Sequence, residues 1–78
     1  MKIRIITPEN ILYDGDADSV SLPGIIGSFD VLPHHAPLIT ALQKGSIQYT
    51  VTGKRNELNI DSGFVKIEND KITICVEK

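Results

Sequence analysis

Apolar and polar residues alternate with a period of two through most of this chain. Lys2–Thr7 sets Ile3 and Ile5 against Arg4 and stops at Pro8, which reads as a strand. Ile11–Tyr13 reads as a second short strand, with Asp14-Gly15 as a turn signal after it. Ala17–Leu22 places Val20 and Leu22 against Ser19 and Ser21. Ser46–Thr52 places Ile47, Tyr49 and Val51 against Gln48 and Thr50. The segment 53–56 reads as a turn, Glu57–Ile60 as a returning strand with Leu58 and Ile60 inward, and Ser62-Gly63 as another turn. Phe64–Glu68 puts Val65 and Ile67 on one face. Asn69-Asp70 reads as a hairpin turn, and Lys71–Glu77 sets Ile72, Ile74 and Val76 against Thr73, Cys75 and Glu77. No stretch holds a helical period across three turns. So many short strands in one sheet would curl or split. The expected fold is all-β: an antiparallel two-sheet β-sandwich or flattened barrel of about ten short strands. It is expected to form a single domain over residues 1–78, with Ile74 in its core.

The segment Leu22–Tyr49 breaks this rhythm. It holds three of the four prolines (Pro23, Pro33 and Pro37) and three of the six glycines (Gly24, Gly27 and Gly45). Each proline fixes its own φ and biases its predecessor toward extended backbone, while glycine admits left-handed turns. Pro23-Gly24 reads as a tight turn. Phe29, Val31 and Leu32 form a short apolar run that Pro33 closes, and His34-His35-Ala36-Pro37 makes a corner before Leu38-Ile39. The isoleucines of Gly24-Ile25-Ile26-Gly27 are either tucked inward or exposed for a partner; the second reading is preferred because exposed apolar tips are costly without one.

Composition narrows the function. With 78 residues the core is small, burying a little over about 60% of the unfolded surface. Eight basic and ten acidic side chains give a net charge of −2, which argues against a nucleic-acid partner. The four aromatic residues are too few and too apolar in setting for a base-stacking platform. No apolar run approaches the roughly 18–20 residues of a membrane span, and MKIRIITPEN lacks a signal-peptide core. A soluble cytoplasmic chain is expected, with no direct membrane insertion.

Candidate chemistry is sparse. Asp14, Asp16 and Asp18 alternate like the first ligands of an EF-hand loop, but the sixth and twelfth positions are Ser19 and Ile25. Three carboxylates on one solvent face is the simpler reading, and no metal is expected. Adjacent His34 and His35 point to opposite faces of extended chain and do not chelate together. There is no G-x-S-x-G elbow and no Walker A sequence, so no catalytic residue or cofactor is expected. Cys75 is the one cysteine and reads as a buried or edge structural thiol.

The segment Leu22–Ile47, and most specifically Val31-Leu32-Pro33-His34-His35-Ala36-Pro37-Leu38, resembles the central signature of the epsilon subunit of F-type ATP synthases, equivalent to the mitochondrial delta subunit. Ile11-Leu12-Tyr13-Asp14-Gly15 and Asn59–Val65 extend the resemblance over nearly the whole chain. Two positions depart: His34 stands where the family usually has glycine or another small or polar residue, and Asp30 where it usually has glycine. The resemblance implies the family's N-terminal ten-stranded sandwich. It implies a non-catalytic rotor subunit of a proton- or sodium-driven synthase, bound to gamma and resting on the c-ring. It would touch the alpha/beta catalytic headpiece indirectly and lie at the cytoplasmic face of the plasma membrane. By motif position Ser28, Phe29, Asp30, His34 and His35 are candidates for the rotor-contact end, with Ile25 and Ile26 beside them. Since the sequence stops at Lys78, the family's C-terminal helical hairpin and its inhibitory role are expected to be absent. The alternative is a small β-barrel ligand-binding module, which would require a basic, aromatic-rich face.

Overall fold

The computed structural model describes residues 1–78 and contains strands and turns with no helix. Nine strands form: β1 (Lys2–Ile6), β2 (Ile11–Asp16), β3 (Ser19–Gly24), β4 (Gly27–Val31), β5 (Leu38–Leu42), β6 (Gly45–Val51), β7 (Lys54–Ile60), β8 (Ser62–Glu68) and β9 (Lys71–Glu77). They follow one hydrogen-bonded path, β2-β1-β9-β8-β5-β3-β6-β7, with β4 on the other edge of β3. The path folds at a corner, because β5 and β3 share the single register pair Gly24↔Leu42. Five strands (β2-β1-β9-β8-β5) thus form one layer and four (β4-β3-β6-β7) the other.

The inward residues of the two layers make the core. Ile3, Ile5, Val65, Ile67, Ile72, Ile74 and Val76 come from the first layer, and Val20, Leu22, Val31, Ile47 and Ile60 from the second; all are buried in one cluster with Ala17 and Leu42. β-Branched residues dominate, as suits a pleated surface. Fully burying each such side chain contributes about 1.5–3 kcal/mol, offset by the ordering of the chain. No buried side-chain nitrogen or oxygen lacks a partner, so the interior is apolar without a polar defect. Tyr13 and Tyr49 join the layers at an open side, with ring centroids 4.9 Å apart. Burial, and then the neighbouring Tyr13, raise the Tyr49 phenol above its usual pKa.

The all-β expectation is met, with nine strands in place of about ten. Every ladder is antiparallel except β1 with β9, which run parallel, Ile3 beside Ile72 and Ile5 beside Ile74. Several turn expectations shift. Asp14-Gly15 lies inside β2, because Asp14 pairs with Arg4 and Gly15 with Ile3. Pro23-Gly24 ends β3, and the turn falls on Ile25-Ile26. The β6–β7 turn is Thr52-Gly53, with φ of 51° and 76°, so Lys54, Arg55 and Asn56 belong to β7. Positive φ at both central residues matches the right-handed twist of the flanking strands. Ser62-Gly63 opens β8, and a Cβ on Gly63 would strike the Cys75 carbonyl, so this glycine serves a close approach. Asn69-Asp70 turns the chain as expected, with φ of 50° and 59°.

Candidate functional site

The hairpin of β3 and β4 carries the two isoleucines at its tip. Ile26 is 97% exposed and Ile25 57%. The base below them is tightly built. A Cβ on Gly24 would lie 2.7 Å from the Gly27 carbonyl oxygen and 2.9 Å from the Phe29 ring, so only glycine lets the ring pack there. The hairpin is also tied to the neighbouring layer. The Ile25 amide donates to the Ala41 carbonyl at 3.2 Å, and the Gln43 amide donates to the Pro23 carbonyl at 2.8 Å. The Gln43 side-chain amide donates to the Gly24 carbonyl at 3.2 Å.

Of the other candidates, Ser28 and Asp30 are exposed on the outward side of β4. The Ser21 hydroxyl donates to Asp30 Oδ1 at 2.5 Å. Phe29 is half-buried, packed against the core, and supports the tip from within. His34 and His35 stand at the corner beyond the other end of β4. At about 3.4 Å per residue, the five residues of that strand put roughly 17 Å between tip and corner. The seven candidates therefore form two groups. His34 adopts φ 68°, the left-handed region that favours glycine. The Asp70 carboxylate accepts from its amide at 2.9 Å, which offsets the strain. His35 Nδ1 lies 2.7 Å from the Ala36 carbonyl oxygen.

A further feature appears on the outward face of the five-stranded layer. Register pairs Ala41 with Phe64, Phe64 with Cys75, Cys75 with Ile6, and Ile6 with Ile11. Cross-strand partners point to the same side of a sheet. These five residues therefore make an apolar row across all five strands, with Ile11 reached past the bulged Leu12. Ile11 is 59% exposed and Phe64 53%, and Ile39, one step from Ala41 on the same side of β5, is 70% exposed. An apolar groove of about 570 Å³ runs beside Phe64 and Cys75 to Pro8. The next row carries charge, with Lys66 beside Thr73, then Arg4 and Asp14. An apolar centre with a charged rim is the usual anatomy of a protein interface. Cys75 is thus neither core nor edge: it faces outward, partly exposed, on the central strand β9.

The sequence reading considered Cys75 alone and gave Ile6, Ala41 and Phe64 no place in a site. Their common signal is an apolar residue out of phase with its strand: Ile6 after Ile5, Phe64 before Val65, Cys75 between Ile74 and Val76. Only the register shows that these exceptions line up.

A family model described as "ATP synthase, Delta/Epsilon chain, beta-sandwich domain" matches residues 1–78. The ATP synthase epsilon chain of Leptospira interrogans is 39% identical over 77 residues, covering 99% of this chain and 61% of that one. That of Carboxydothermus hydrogenoformans is 36% identical over 74 residues, covering 95% and 55%. The chain thus spans little more than half the length of these curated relatives. A chain in the cryo-EM structure of the Tetrahymena thermophila mitochondrial ATP synthase central stalk and c-ring superposes with a TM-score of 0.85 at 13% identity, over 99% of this chain and 63% of that one; this likeness shows the shared fold.

Proposed function

This chain belongs to the ATP synthase delta/epsilon family, matching its beta-sandwich domain, and from that membership we propose that it couples the c-ring to the gamma subunit within the rotor of a proton- or sodium-driven synthase. The observation that carries the reading is the one-sided apolar row from Ala41 to Ile11. A soluble domain leaves such a row exposed at a cost unless a partner covers it. Gamma is the partner assigned to it, with the charged row of Lys66, Arg4 and Asp14 as rim. The corner residues His34 and His35 join the gamma side, because they lead into β5, whose outward Ala41 heads the row and whose Ile39 lies beside Lys66 of the rim. The hairpin tip, with Ile25, Ile26 and Ser28, is assigned to the c-ring. Asp30 flanks it, and Phe29 stiffens it.

The role is mechanical. A sandwich whose two contact regions are linked by backbone hydrogen bonds at the Gly24–Leu42 corner transmits rotation without storing twist. Catalysis belongs to the alpha and beta subunits. The complex sits at the cytoplasmic face of the plasma membrane, which this chain reaches through the ring. A tagged copy of the chain, added to synthase depleted of its epsilon subunit, is expected to recover gamma and the c-ring and to restore proton- or sodium-driven ATP synthesis. Recovery of neither subunit contradicts the reading.

A further inference from the structure

The connection from β4 to β5 is anchored at one point. Residues 32–37 make a single hydrogen bond to a distant part of the chain, the 2.9 Å bond from the His34 amide to Asp70 Oδ1. Leu32, Pro33, His34, Ala36 and Pro37 are all exposed, so apolar burial adds little hold. The anchor meets the turn at its most demanding residue. Pro33 and His34 occupy the central positions of a turn closed by the His35 amide, which donates to the Leu32 carbonyl at 3.2 Å. Proline first and positive φ second is the pattern of a type II turn, whose second position suits glycine. A residue with a Cβ has lower-energy alternatives to that conformation. The carboxylate that compensates is itself fixed. Asp70 lies in the two-residue turn between the paired Glu68 and Lys71, with φ of 59°, and its carbonyl accepts from the Lys2 amide at 3.1 Å. One residue thus joins the start of β1, the β8–β9 turn and the histidine corner.

We infer that Asp70 is the positioning residue of this corner: it holds His34 left-handed, and through it His35, in the geometry that gamma meets. This rests on the assignment of the corner to gamma. His35 moves with the turn, since its amide closes it and its Nδ1 lies 2.7 Å from the Ala36 carbonyl oxygen. Where the carboxylate is lost, only the fraction of chains that still adopt the turn is competent to dock, and apparent affinity falls in proportion. A hydrogen bond to a charged acceptor is worth a shift of about tenfold or more in that fraction. The other oxygen, Asp70 Oδ2, lies 3.9 Å from the Met1 amino nitrogen. An asparagine keeps the acceptor for His34 and loses that ion pair, so it separates the two contacts.

The test is a double-mutant cycle read as gamma affinity. Asp70→Ala is expected to weaken gamma binding about tenfold. In the His34→Gly background, where the second turn position carries no side chain to strain, the same Asp70→Ala change is expected to cost less than about threefold. Asp70→Asn is expected to stay within about threefold of the parent. Native-state hydrogen exchange needs no variant: the His34 amide of the chain alone, on an exposed loop, is expected to exchange at least about tenfold more slowly than an unstructured amide. An Asp70→Ala chain that binds gamma as well as the parent overturns the inference. An equal loss in both backgrounds overturns it too, since Asp70 would then act through its own hairpin and not through His34. A loss for Asp70→Asn as large as for Asp70→Ala assigns the effect to the Met1 contact, and a His34 amide exchanging at the unstructured rate shows a corner not held before binding; either contradicts the inference. A parent chain that fails to bind gamma while its His34 amide is protected removes the gamma assignment itself, and the positioning role falls with it.

Discussion

The two layers of the sandwich are alike inside and unlike outside. Both present Ile, Val and Leu to the shared core. Outward, the four-stranded layer carries Asp30, Ser21, Gln48 and Glu57 in one register row. These side chains satisfy one another, Ser21 with Asp30 and Gln48 with Glu57, and Ser46 bonds Asn59 beside them. The five-stranded layer carries the row from Ala41 to Ile11 at the same relative place and leaves it open. Water solvates the first row at no cost, whereas the second gains only when something covers it. The folding requirement is met by the inner faces, so the difference between the outer faces belongs to association.

The largest expected effect sets the scale on the inner side. Ile74→Ala is expected to destabilise by about 2–5 kcal/mol in chemical denaturation, because it empties a wholly buried site. Cys75 is its neighbour on the same strand and faces the other way, so Cys75→Ala is expected to cost far less. A loss under about 0.5 kcal/mol for Ile74→Ala would erase the distinction between inner and outer residues.

The next effect contrasts the outer faces directly. Phe64→Lys is expected to weaken gamma binding at least about tenfold in a titration, with stability altered by no more than about 1 kcal/mol. Gln48→Lys, on the other layer, is expected to leave gamma binding unchanged and stability within about 0.5 kcal/mol. Equal losses from the two substitutions would break the comparison, since both introduce the same charge.

How much of this was legible in the sequence follows from the range of the forces involved. The strands β6, β8 and β9 were readable because burial on one face imposes period two on neighbouring residues. Asn69-Asp70 was readable because both residues tolerate the left-handed turn they adopt. The Ile25-Ile26 turn was not, since isoleucine has no turn preference; the tip is dictated by the packing of Gly24 under Phe29 and by Gln43. The parallel pairing of β1 with β9 joins the two ends of the chain, and no local pattern encodes it. For the site, exposure of Ile25 and Ile26 was legible from their setting. The apolar row was hidden, because it draws one residue from each of five strands and no local pattern links them.

Cys75 lies in the middle of that row and is the one thiol of the chain, which makes it a native reporter of what covers the face. The most direct measurement is its rate of alkylation by a small maleimide, in the chain alone and with gamma bound. An accessible thiol reacts according to its exposure and thiolate fraction. Covering the row is expected to slow the reaction at least about tenfold, and Phe64→Lys is expected to abolish that protection. An unchanged rate in a complex that demonstrably contains gamma would place the interface elsewhere and contradict the account.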